Sequence, residues 1–263
     1  MKRDVIAIYA RAWAFGIAMP LVFILPALPE LAQHAVEAKL GMYASMSTFR
    51  ESSASGARLG VGYVKTLALL LPGYWFVRYL AFGDARRSVR LERRAVALCV
   101  PVFLFSGAEQ AAALFAPRLH QLSGITGTLP AAIADGSATL ALSCLGMYLT
   151  AWGVSAALGN ARITPVRSLA LMAGSFWRTI GYMLAGTLPL MAIHYALGIG
   201  AIGCPGWLVA IMLALDGVVV AALAHTMAGA GFMAARAASR RKDVSLMPTK
   251  AGEAVGRPRP LAL

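Results

Sequence analysis

Glu30, His34 and Glu37 are separated by four and then three residues. On a helix these spacings place two carboxylates and an imidazole on one face. Oxygen and imidazole donors of this kind can ligate a divalent metal. Diiron bundles carry Glu-x-x-His, whereas this stretch reads His-x-x-Glu, so a complete metal site needs further ligands from other helices. The plainer reading of the same face is an amphipathic extension that meets water. A second set consists of Lys65, Glu109, Asp135, His194 and Asp216, each within or at the edge of a long apolar run. A charged side chain at the bilayer centre costs about 2.5–3.5 kcal/mol or more, so such groups pair with one another or line a binding or coupling pathway. Glu109 and Asp216 lie deepest in their runs, and Lys65 is an available cation for either.

The elements that carry these residues are set by composition. Of 263 residues, 59% are hydrophobic and only 13% charged, and mean hydropathy is +0.69. An ordinary soluble domain is about half apolar and a quarter charged, so the surplus points to a polytopic membrane protein. A spanning helix needs about 20 mostly apolar residues. Six such stretches lie near 12–32, 62–82, 95–116, 134–158, 169–197 and 207–235. The runs are too long and unbroken for barrel strands, and open sheets cannot cross lipid. The expectation is an all-α membrane protein, a bundle of six transmembrane helices arranged as three helical hairpins. The first stretch lacks a small-x-small cleavage site and reads as an uncleaved anchor.

Basic residues set the orientation. With six spans, 19 of the 24 lysines and arginines fall on one side and five on the other. The positive-inside rule then places both termini in the cytoplasm. The single transmembrane domain covers residues 1–235, and 236–263 reads as a basic, disordered cytoplasmic tail. Arg86, Arg87, Arg90, Arg93 and Arg94 form a cluster expected to meet anionic lipid headgroups. Net charge is +13, but its location beside apolar spans argues for membrane lipid rather than nucleic acid as the partner. The arginine- and alanine-rich composition suits a bacterial inner-membrane protein. Cys99, Cys144 and Cys204 show no metal-type spacing.

Packing signals are local. Ser143, Gly146, Thr150, Gly153 and Ala157 share one helical face, which predicts close central packing of the fourth span. Pro20, Pro26 and Pro29 crowd the first span and predict kinks or breaks. Residues 40–55 contain a Ser-rich turn and are expected to cap the bundle along the membrane surface. The segment Gly83-Asp84-Ala85-Arg86 is echoed by Gly159-Asn160-Ala161-Arg162. Glycine followed by Asp or Asn suits a helix C-cap and a tight turn.

The segment Ile163-Thr164-Pro165-Val166-Arg167-Ser168-Leu169, with Gly174-Ser175-Phe176-Trp177-Arg178 after it, resembles the amphipathic lead-in to a membrane helix. The relatives are bacterial multispan proteins akin to the membrane domain fused to glycerophosphodiester phosphodiesterases. The match covers fewer than 20 residues and includes no catalytic motif. The resemblance implies a six-helix bundle with lipid-proximal amphipathic segments.

No nucleophile elbow, His-Glu-x-x-His helix or Walker loop is present. The leading expectation is therefore a non-enzymatic membrane protein with no cofactor: an accessory subunit, assembly factor or lipid-associated scaffold that contacts another membrane protein. The alternative is a small transporter or permease subunit, with the outer-half polar residues lining its pathway. A membrane metal-binding protein, using a divalent ion at Glu30, His34 and Glu37, is third.

Overall fold

A computed structural model describes residues 1–248, and every regular element in them is helical. The helices are α1 (Lys2–Ala18), α2 (Pro20–Ile24), α3 (Ala27–Lys39), α4 (Met46–Ser52), α5 (Gly56–Phe82) and α6 (Ala85–Ser88), followed by α7 (Arg93–Phe115), α8 (Leu119–Leu122), α9 (Thr128–Ala157), α10 (Pro165–Met172), α11 (Phe176–Gly200) and α12 (Gly206–Arg241). Helices α7, α9, α11 and α12 are long and apolar enough to cross a membrane. The bent pair formed by α1 and the α2–α3 segment makes a fifth if it is one span. Helix α5 has 27 residues, about 40 Å at 1.5 Å per residue, but Arg58, Lys65, Pro72 and Arg78 interrupt its apolar character.

The proline-rich first stretch does break. Met19 leaves helical geometry at φ −138°, Pro20 and Pro26 stand at the next helix starts, and the second limb is bent by 117° from the first. Helix α11 is also shorter at its start than the apolar run suggested. Residues 165–172 form the separate α10, and Gly174 at φ 77° turns the chain into α11. The lead-in is thus a short helix with exposed Val166, preceding an exposed Trp177.

Helix α12 is the central element. It packs against α11, α5, α9, α1 and α3. Its close approach to α11 depends on Gly186, where an added Cβ would lie 2.8 Å from Ala230 Cβ and 2.9 Å from the Thr226 carbonyl oxygen. Gly229 does the same for α1 and α5, with Ile8 Cγ2 at 2.9 Å and Phe76 Cε1 at 3.0 Å from such a Cβ. The predicted central face of the fourth span is only half realised. Thr150 touches Gly231, and Ala157 is buried, but Ser143 is exposed and nothing lies within 4 Å of a Cβ at Gly146. Small residues permit close packing, but they do not supply the neighbour that closes onto them.

Helices α5, α9 and α12 finish at one end of the bundle, where α1, α7 and α11 begin. Arg78 is fully buried there and ties the end of α5 to α6, the end of α9 and the start of α7. Its Nη2 donates to Glu92 Oε1 at 2.6 Å, Nη1 to the Ala157 carbonyl at 3.2 Å and Nε to the Ser88 carbonyl at 3.3 Å. Its guanidinium also lies 5.1 Å from the Tyr74 ring centroid and 5.0 Å from that of Phe82. The hydrogen bond from Arg78 holds the Glu92 carboxyl below its ordinary range. The sequence echo has a common geometry. Gly83 and Gly159 are both left-handed, at φ 71° and 80°. Asp84 Oδ1 accepts from the Arg86 and Arg87 amides, and Asn160 Oδ1 accepts from the Arg162 amide.

The last helix runs to Arg241, beyond the expected start of a tail at 236. Asn160 Nδ2 then donates to the carbonyls of Ser245, Leu246 and Met247, and Leu246 is buried. The remainder of the expected tail, 249–263, lies outside the described residues.

Candidate functional site

At the opposite end of the bundle, α3, α5, α11 and α12 bring buried ionisable groups together. Helix α3 contributes Glu30, Gln33, His34 and Glu37, all buried on one face. Burial corrects the amphipathic reading, since this face meets α5 and α12 instead of water. Helices α3 and α5 run antiparallel side by side, so Glu37 meets Arg58 and Glu30 meets Lys65. Gly62 faces Gln33 between those pairs. The chain crossing beyond α3 buries Met42 and Tyr43, and the Gly203 amide donates to the Tyr43 carbonyl at 2.8 Å. Ser45 and Thr48 cap α4 reciprocally, fixing the crossing that covers the site. The cap expected from residues 40–55 therefore includes a direct contributor to the cluster.

Asp216 is at its centre and is fully buried. His194 Nδ1 lies 2.8 and 2.9 Å from its two carboxylate oxygens, and His34 Nε2 lies 2.8 Å from Oδ2. The other nitrogen of His34 lies 3.0 Å from Glu37 Oε2 and 3.0 Å from Tyr43 Oη. Tyr43 Oη donates to Glu37 Oε2 at 2.5 Å, while Gln33 Nε2 and Arg58 Nε each donate to Oε1 at 2.8 Å. Lys65 Nζ is 3.1 Å from Glu30 Oε2, and His34 Nε2 is 3.3 Å from Glu30 Oε1. A continuous chain of polar contacts thus runs His194–Asp216–His34–Glu37–Arg58. Glu30 and Asp216 are wholly shielded, whereas the side chains of Arg58, His194 and Lys65 retain 26%, 19% and 17% of their exposure. The chain therefore has a shielded centre and an accessible rim.

Charge balance constrains its chemistry. Glu30, Glu37 and Asp216 face Lys65 and Arg58, which leaves one negative charge when both imidazoles are neutral. One proton on the histidine pair neutralises the group. His34 is suited to carry it, because both ring nitrogens face carboxylate oxygen. A metal has a different footing: ligand atoms of Glu30, His194 and Asp216 lie within 4.8 Å of one another. Of the three residues expected to bind metal, only Glu30 belongs to this group; His34 and Glu37 lie outside it.

Of the polar residues set in or beside the apolar runs, Lys65, His194 and Asp216 converge, whereas Glu109 and Asp135 do not. Asp135 accepts from the His120 backbone amide at 3.1 Å, contacts His120 Nδ1 at 2.8 Å and lies 3.8 Å from Arg118 Nη1. That group pins α8 to the start of α9. Glu109 has no hydrogen bond or ion pair among the described residues, so Lys65 is not its partner. Sequence reading missed Gln33, Tyr43 and Arg58. Gln33 is four residues from Glu37 and three from Glu30, so helical spacing carried its signal; Tyr43 and Arg58 gave none.

Arg86, Arg87, Arg90, Arg93 and Arg94 lie around α6 and the start of α7, at the far end from this cluster. All five are exposed, and Arg87 lies over the Phe82 ring at 4.1 Å. Comparison of the chain with protein-family models, curated proteins and solved structures finds no match.

Proposed function

We propose that this chain is a six-span integral protein of a bacterial inner membrane, with both ends cytoplasmic, and that it is a small transporter or permease subunit whose binding step is coupled to protonation. The observation that carries the functional reading is the shielded His194–Asp216–His34–Glu37 chain with its half-buried Arg58 and Lys65 rim. Ionisable groups buried at membrane depth, bonded to one another and open at one edge, suit a proton relay or coupling site. The accessory-subunit and scaffold reading shares the lack of catalytic motifs but gives this cluster no task beyond holding helices together.

The six-span reading is supported by the path of the broken first segment. Ile8 packs by Gly229, Phe15 by His225, Ala27 and Leu31 by Gly217, His34 by Asp216, and Tyr43 by Gly203. The chain thus follows α12 over most of its length. Helix α5 runs parallel to α12, with Gly73 by Ala228 and Phe76 by Gly229. These two passages and the four apolar helices make six, and the basic residues then collect on one side.

The test is reconstitution into liposomes containing a pH-sensitive dye, with an imposed proton gradient and clamped potential. Protein-dependent proton flux should fall tenfold or more in Asp216→Asn and in the rim variant His194→Gln, with His194→Gln still melting near the parent. Absence of flux in the parent, or undiminished flux in both variants, overturns the reading. Metal binding is the second reading, favoured by the Glu30, His194 and Asp216 geometry. Stoichiometric metal in the purified chain that is lost in His194→Gln would support it over proton coupling.

A further inference from the structure

At the end of the bundle away from that cluster, α1 and α11 begin beside the last turns of α12. A recess of about 360 Å³ opens between them, lined by Asp4, Arg178, Tyr182, Arg236, Arg240 and Arg241 among others. Arg236 is only 6% exposed, and its Nε and Nη2 are buried without a hydrogen-bond partner. The nearby carboxylate does not serve it. Asp4 accepts from Tyr182 Oη at 2.6 Å, and no ion pair among the described residues engages Arg178, Arg236, Arg240 or Arg241. Arg241 Nη2 donates to the Ala173 carbonyl, which holds that side chain over the recess edge.

Four guanidinium groups against one carboxylate leave a strong positive excess. An unpaired buried guanidinium is costly, and the planar fork of arginine is matched by the oxygens of a phosphate. The recess also faces the starts of α1 and α11, whose free amides favour an anion. The end of α12 opposes this, but it carries three of the four arginines.

We propose that this recess binds a phosphate group, with Arg236 as the buried anchor and Arg178 and Arg240 closing over it. The phosphate belongs to an anionic lipid headgroup or to a free phosphate ion; both present the same oxygens. The site differs from the cluster at Arg86–Arg94, which is spread over an exposed turn. It does not depend on the proton-coupling reading.

The experiment uses the full chain, delipidated in neutral detergent and titrated with dihexanoyl phosphatidate, inorganic phosphate and dihexanoyl phosphatidylcholine. Phosphatidate should bind saturably, and the Arg178→Gln/Arg240→Gln double variant should weaken it tenfold or more. Arg236→Lys keeps the charge and loses the fork, and should weaken it at least threefold. Arg86→Gln/Arg87→Gln should leave it within twofold. Saturation by phosphatidate alone assigns a headgroup, and equal saturation by inorganic phosphate assigns the free ion. The proposal fails if phosphatidylcholine binds as well as phosphatidate, if nothing saturates, or if the Arg178/Arg240 and Arg236 variants both bind like the parent.

Discussion

The Glu30–Lys65 pair tests whether α3 is docked against α5 as described. Lys65 Nζ lies 3.1 Å from Oε2 and 3.4 Å from Oε1 of Glu30. At 3.1 Å and an effective dielectric of about 20, the attraction between unit charges is about 5 kcal/mol. Desolvation opposes most of it, since Glu30 is wholly buried and the Lys65 side chain is only 17% exposed. Lys65→Met leaves Glu30 with His34 Nε2 at 3.3 Å as its remaining neighbour of positive character, and should destabilise by about 3 kcal/mol, the low end for breaking a buried pair. Glu30→Gln keeps the shape and an acceptor oxygen, and should cost about 2 kcal/mol by losing the charge-assisted bonds. The double variant should cost less than the sum of the two, by a coupling of about 1–3 kcal/mol. Equilibrium unfolding in mixed micelles, followed by tryptophan fluorescence, measures all four corners of the cycle. A coupling below about 0.5 kcal/mol, the scatter of independent sites, would refute the docking of α3 on α5.

Two further outcomes follow from particular contacts. Gly186→Ala places a Cβ 2.9 Å from the backbone carbonyl of Thr226 and should destabilise by about 1–3 kcal/mol, while Gly146→Ala meets nothing within 4 Å and should be neutral or stabilising by up to about 1 kcal/mol; thermal unfolding of the two variants checks the contrast, and equal melting would contradict the placement of α11 on α12. Glu92 has its carboxyl held low by Arg78, so its contribution is full above the ordinary glutamate value of about 4.3 and is lost as pH falls through the depressed folded value; the melting difference between the parent and Glu92→Gln should therefore be largest near neutrality and shrink on acidification, and a difference that grew in acid would refute the Arg78–Glu92 pairing.

Much of the helix layout was legible in the sequence because long apolar runs specify helices segment by segment. A run of about 20 apolar residues is stable as a helix in a membrane whatever its neighbours do. Both ends of α7, the end of α9 and the start of α12 accordingly lie close to the limits of the apolar runs, whereas α9 starts earlier and α12 ends later than they suggest; the turns at Gly83 and Gly159 follow from residues adjacent in the chain. Part of the site was legible for the same local reason: the four- and three-residue spacings of Glu30, His34 and Glu37 put them on one face of α3. Prolines foretold a break in the first span, but not its 117° bend.

What covers that face was decided only by tertiary structure. Asp216 is 182 residues from His34, and Arg58 is 21 from Glu37; no periodicity relates such positions. Glu109 and Asp216 looked alike from depth in an apolar run, yet Asp216 meets two imidazoles and Glu109 faces none. The difference is rotational. Depth along a helix follows from counting residues, while the direction a side chain faces follows from which neighbours pack beside it. The small-residue face of α9 shows the same division, as Gly146 is open and Gly186, on a helix with no such stripe, makes the closer contact. Arg236 illustrates it at the other end: its position marked a basic terminus, and only the packing of α1 and α11 around it leaves a buried guanidinium without an acceptor.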